Sequence, residues 1–196
     1  MNKQHKPLNY SDLPDNSQLT ENGNTVTEYD NALKVMTDFN KIKPFIIEEL
    51  ASIDFANSKM IACGVRLLFV TNTNNQLAGL ITASDLLGEK PIKHLQMHGG
   101  SRNDILVKDI MTGRNLLKTL KLSDVRNADV GDIVETMKSF GRQHILITQD
   151  SGGVLNTKIC GIFSTTQISR QLGKEIELQP KASTFSEVES ALASSF

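Results

Sequence analysis

The sequence contains no tryptophan, and aromatic residues make up only 5% of its 196 positions. Any core must therefore rest on Leu, Ile, Val and Met. Cysteine is scarce as well. The two present, Cys63 and Cys160, sit in apolar runs and read as buried free thiols. No pair of Cys-x-x-Cys motifs occurs, which argues against a zinc site. Neither sign of charge dominates. A formal net charge of -1 lacks the basic excess that nucleic-acid binders and membrane-surface binders carry. Long apolar runs are missing: "VRLLFV" is far too short to cross a bilayer. The polar opening "MNKQHKPLNYSDLPDNSQLTENGN" has no apolar stretch of the kind a secretory signal needs. These absences lead us to expect a cytoplasmic protein with no nucleic-acid or membrane partner and no metal.

An apolar share of 39% is ordinary and permits a real core. The length suits one domain or two small ones. Residues 1–24 are too polar to offset the cost of ordering and are expected to form a disordered leader. Residues 179–196 begin near the helix breaker Pro180. They are expected to form a flexible tail, in preference to a short helix from Ser186 that docks on a partner.

Between these ends lies an internal repeat. One unit opens with "VMTDFNKIKPFII" and the other with "DIMTGRNLLKTLKL". A helical pattern follows in each. Ile53, Ala56, Met60 and Ile61 are expected on one face of the first helix, and Val130, Ile133, Val134 and Met137 on one face of the second. Gly64 and Gly141 suit the helix ends, since glycine enters the left-handed region without a Cβ penalty. Next come a strand (Val65 to Val70; Arg142 to Ile147), a polar turn, and a second strand reading "LAGLIT" or "ICGIFS". Two apolar strands about a polar turn predict an antiparallel hairpin. The strand before the helix would join the same sheet through a crossover. A closing helix starts right after the second strand.

The step "GLITASDLL" returns as "GIFSTTQIS". With the Met36-Thr37 and Met111-Thr112 segments and the repeated element order, it makes residues 28 to 178 resemble a tandem pair of CBS (cystathionine-β-synthase-type) motifs, a Bateman module. The run also resembles small stand-alone bacterial proteins that consist of little besides such a pair. The resemblance implies an α/β fold of two β-α-β-β-α motifs, residues 25–98 and 99–178, packed face to face with pseudo-two-fold symmetry. It implies binding rather than catalysis. The ligand would be adenosine-containing (AMP, ADP, ATP or S-adenosylmethionine), held in a cleft between the motifs, with the signal passed to a regulated partner or through a homodimer. The alternative is a ligand-free dimerisation or interaction module.

In such a family the hydroxyl and the acid of the step face phosphate and ribose. Here these are Thr82 and Asp85, with Ser84 as a further hydroxyl. A helix N-terminus attracts phosphate, and a carboxylate can accept from two adjacent ribose hydroxyls. The same Ser84 or Asp85 also reads simply as a helix cap. Gly79 would let a backbone approach closely. The second copy offers Ser164 but places Gln167 opposite Asp85, so the two sites should be unequal, with the first dominant. Arg142 and His144, two apart on a strand, would share a face, and Arg66 would stand at the corresponding place in the first copy. The resemblance implies that such residues reach phosphates, for which a guanidinium fork is well suited. His94 and His98 share a helical spacing but have no third ligand, so "KHLQMHGGSR" is expected to be a solvated linker, its Lys90, Lys93 and Arg102 solvated with it. No nucleophile–base pair or paired carboxylates point to an enzyme.

Overall fold

Two glycine-capped helices anchor the fold. The first, α1 (Ile53–Cys63), begins where the Ser52 side chain accepts the Phe55 amide and ends at Gly64, whose φ is 64°. Its counterpart, α6 (Val130–Phe140), ends at Gly141 with φ 59°. At its start Asp132 Oδ2 accepts the Asp129 amide at 3.0 Å. Such caps contribute about 1 kcal/mol each. All four expected residues of α6 are buried. On α1, Ile53, Ala56 and Met60 are buried, but Ile61 is 73% exposed. One residue past Met60 is a turn of about 100° around the axis, which takes Ile61 off the buried stripe.

The computed structural model describes residues 26–150 and 157–178, with short pieces at 13–15 and 17–18. The rest of the expected leader, the expected tail and the tip of the second hairpin lie outside the described residues. The strands are β1 (Thr37–Asp38), β2 (Ile46–Glu48), β3 (Leu67–Thr71), β4 (Leu77–Thr82), β5 (Thr112–Gly113), β6 (Thr119–Lys121), β7 (His144–Asp150) and β8 (Thr157–Ser164). The remaining helices are α2 (Ala83–Leu87), α3 (Lys90–His98), α4 (Val107–Ile110), α5 (Leu122–Val125) and α7 (Thr165–Leu172). The repeated order β-α-β-β-α is present as β2-α1-β3-β4-α2 and, with the short helix α5 inserted after β6, as β6-α6-β7-β8-α7. In each copy the strand before the helix pairs in parallel with the strand after it, and the hairpin is antiparallel.

The two sheets are ordered β2-β3-β4-β5 and β1-β8-β7-β6. Each edge strand named last in the first and first in the second is therefore exchanged. Thr37–Asp38, which opens the first repeat, pairs with β8 of the second, and Thr112–Gly113, which opens the second, pairs with β4 of the first. The paired glycines of the repeated step explain themselves here. A Cβ on Gly79 would stand inside 3.0 Å of the Thr112 carbonyl oxygen, and one on Gly161 would stand 2.9 Å from that of Thr37. Glycine lets the exchanged backbone come close.

Each half has its own core. One gathers Ile53, Leu68, Ile81, Leu86 and Val107. The other gathers Val134, Met137, Ile145, Phe163 and Ile168. A third cluster, Phe69, Leu80, Leu146 and Ile162, joins the two sheets face to face. Phe39 meets Phe69 edge-on across it, with ring centroids 5.3 Å apart. An aromatic pair of this kind adds about 0.5–1.5 kcal/mol beyond burial.

The segment expected as a solvated linker is helical, with Pro91 in the first turn of α3. His94 and His98 stack with centroids 4.4 Å apart. No group of three or more metal-ligating side chains occurs among the described residues. Lys93 pairs with Glu89 at 2.7 Å. Arg102 reaches Asp54 at 3.2 Å and the Leu86 carbonyl at 3.1 Å. Arg102 thus ties the linker to the first half, whereas Lys93 pairs only within its own helix and stays exposed, as expected. No helix among the described residues is long and apolar enough to cross a membrane.

Candidate functional site

Where the two sheets meet, the ends of β4 and β8 open onto two clefts. Register fixes which residues correspond. Leu67 pairs with Thr82 and His144 pairs with Ser164, so Leu67 is the counterpart of His144. Arg66 then corresponds to Gln143, and Arg142 to Val65. The expected match of Arg66 with Arg142 is off by one residue. Arg142 also lies in the turn before β7, which starts at His144, so the two do not alternate along one strand.

The first cleft, about 350 Å³, is lined by Thr82, Asp85, Thr112, Leu117, Arg142 and His144 among others. The second, about 460 Å³, is lined by Phe39, Lys43, Phe45, Arg66, Gln167 and Arg170. Ser84 and Ser164 also open onto the second. Thr82, Gln143 and His144 line both and form the wall between them. All eight residues singled out from the sequence therefore gather at these two clefts.

Asp85 is already engaged. Its Oδ2 accepts the Thr82 amide at 2.8 Å and the Thr82 hydroxyl at 2.7 Å. Thr82 Oγ1 in turn accepts the Asp85 amide at 3.3 Å. The pair forms a capping box on α2, with Thr82 as N-cap and Asp85 as the third helical residue. Asp85 Oδ1 takes the Lys90 ammonium at 2.6 Å, and Lys90 also donates to the Ile110 carbonyl at 2.9 Å. Lys90, expected to be solvated, thus neutralises the one carboxylate that lines the first cleft among the described residues.

The second copy is arranged differently. Ser164 is the N-cap of α7 but makes no side-chain capping bond. Gln167 Oε1 accepts the Thr37 hydroxyl at 2.8 Å, which ties α7 to the exchanged strand β1. The amide nitrogen is left as a donor. His144, in the dividing wall, is mostly removed from water. Burial pushes its pKa below the ordinary 6.5, partly opposed by the charge of Asp85.

Sequence reasoning missed Lys43, Arg170 and Lys90. Arg170 had a signal, since it lies three residues after Gln167 on one helix face. Lys43 and Lys90 had none, because only the chain's path from β1 and α2 brings them in.

No family model matches the sequence, and no curated protein matches it. Solved structures do. An uncharacterized conserved protein from Pyrococcus horikoshii superposes with a TM-score of 0.52 at 25% identity, over 79% of this chain and 100% of its own. The CBS-domain containing protein of Agrobacterium tumefaciens gives 0.51 at 18% identity, over 79% and 98%. The CBS domain of a bacterial CNNM/CorC family Mg2+ transporter, in complex with the inhibitor IGN95a, gives 0.51 at 14%, over 76% and 80%. The chain has the fold of a tandem CBS pair.

Proposed function

We propose that the protein is a regulatory module, not an enzyme, that binds an adenosine-containing ligand between its two CBS motifs. AMP, ADP, ATP and S-adenosylmethionine are the candidate ligands. Binding would be passed to a regulated partner or through a homodimer, two-fold pairing being the commonest form of self-association. The observation that carries this reading is the position of the two strand-to-helix steps. Thr82 and Ser164 both open onto clefts whose walls come from both halves of the chain. A ligand there touches both motifs at once and favours one relative arrangement of them. A small molecule bound to the neighbouring CNNM/CorC CBS domain is in keeping with this.

The test is thermal unfolding with each candidate at millimolar concentration. A ligand present at 100 times its Kd stabilises by about 2.7 kcal/mol. For a domain of this size that raises the midpoint by roughly 5–11 °C. Four unmoved midpoints would refute the reading. The ligand-free alternative draws on one observation, that Asp85 has spent its acceptors on Thr82 and Lys90. Unmoved midpoints together with a concentration-dependent dimer in light scattering would favour it.

A further inference from the structure

We infer that the Gln167 cleft selects its ligand by charge: it holds a nucleoside polyphosphate by the phosphate tail and rejects a nucleoside sulfonium. The inference rests on the proposed function and names the ligand class for one of the two clefts. Lys43, Arg66 and Arg170 line this cleft, and among the described residues no carboxylate lines it. Among the described residues none of these three side chains takes part in an ion pair. A concave surface carrying one sign of charge over apolar walls focuses its field on an incoming ion of opposite sign. The walls are apolar here: Phe39, Phe45 and Leu67 stand beside the cations. They offer the flat apolar contact that a base requires.

The polar groups agree with the charges. Gln167 has its oxygen taken by Thr37 and keeps the amide nitrogen to donate. Ser164 has a hydroxyl not committed to capping. Every cation on this cleft is a donor with no acceptor capacity. The other cleft contrasts on each point. It has one cation, Arg142, and one carboxylate, Asp85, itself paired with Lys90. The Asp-to-Gln exchange in the second copy therefore reads as a change of selectivity. At this position the second cleft has a neutral amide, which neither repels a phosphate tail nor attracts a sulfonium.

The experiment is titration calorimetry of the full chain with AMP, ADP, ATP, S-adenosylmethionine and inorganic tripolyphosphate. Affinity should rise from AMP to ADP to ATP and fall with added salt. S-adenosylmethionine should bind at least 10-fold more weakly than ATP. Arg66→Gln and Arg170→Gln should each weaken ATP about 10- to 100-fold, as expected for one charge-assisted hydrogen bond. Lys108→Gln, the same charge change at an exposed position of α4, should leave ATP binding within twofold. S-adenosylmethionine competing as well as ATP for the site that the Arg variants weaken, or both Arg variants binding ATP normally, would overturn the selectivity and leave the proposed function standing. Tripolyphosphate binding as tightly as ATP would uphold an anion cleft but refute adenosine recognition. Binding of none of the five would overturn both.

Discussion

Replacing Gly79 by alanine should destabilise the protein through a single methyl group. Gly79 lies on β4 opposite Gly113 of the exchanged strand β5, and that pairing is only two residues long. The added Cβ would fall well inside 3.0 Å of the Thr112 carbonyl, and 3.0 Å from Met111 Sδ. The methionine can rotate away, but the carbonyl is backbone and cannot. β5 must retreat and weaken the ladder, at the 1–3 kcal/mol typical of overpacking. Alanine recovers about 0.4–1 kcal/mol by restricting the unfolded chain. The net loss is therefore about 1–2 kcal/mol, or roughly 2–8 °C in the thermal midpoint. Gly161→Ala is the symmetric experiment and should cost less. There the nearest groups, Thr37 O and Met36 Sδ, stand at 2.9 Å, so the strand must give by only about half an ångström. Gly131→Ala, on α6 with nothing nearer than 3.4 Å, should stabilise by about 0.5 kcal/mol. Chemical and thermal denaturation of the three variants gives the ranking. A Gly79→Ala midpoint equal to wild type, or above that of Gly161→Ala, would refute the account of why the step begins with glycine.

Phe163→Ala empties a fully buried site in the second half's core and should cost about 3–5 kcal/mol in urea titration. Thr82→Val keeps the shape but removes the hydroxyl of the capping box, and should lose about 1 kcal/mol. The pKa of His144 is lowered by burial, so the unfolded chain holds a proton there at pH values where the folded one does not. Its contribution is complete above about pH 6.5 and is lost as pH falls through the lower folded-state value. His144→Leu, which copies Leu67 of the other motif, should flatten the acid side of the stability curve, as seen in urea midpoints at pH 7.5, 6.5 and 5.5. Parallel curves for the two proteins would contradict this.

The parts legible in the sequence are those governed by neighbours along the chain. The buried stripe of α6, the left-handed glycines 64 and 141, and the strand "LAGLIT" follow from local period and backbone freedom. Strand ends were less legible. β7 and β8 run on to Asp150 and back to Thr157, where polar residues hid the pairing. Helix α3 was obscured by its polar sequence and by the glycines that follow it, since its only buried residue is Pro91. The exchanged strands were not legible at all. Two-residue pairings such as Thr37 with Ile162 or Leu80 with Thr112 carry no period, and no short turn joins the strands they link. The same holds for Lys90, whose five-residue separation from Asp85 matches no helical neighbour rule yet brings the ammonium to 2.6 Å.

The exchange of edge strands connects this fold to its proposed role. Thr37 lies on β1, pairs with the second half's sheet, and holds Gln167 at the mouth of the second cleft. Thr112 lies on β5, pairs with the first half's sheet, and lines the first cleft. Each cleft is thus edged by a strand that the opposite repeat supplies. Separating the halves would strip an edge from both sheets and open both clefts together. A ligand in either cleft therefore opposes that separation, and its binding energy appears as resistance to unfolding of the whole pair. In the second cleft the effect has an additional electrostatic origin. Lys43, Arg66 and Arg170 come from the β1–β2 connection, the turn before β3, and α7. Without an anion between them they repel one another across the junction of the halves. A phosphate tail bound as proposed would replace that repulsion with three attractions, so the same charges would also draw the two repeats together.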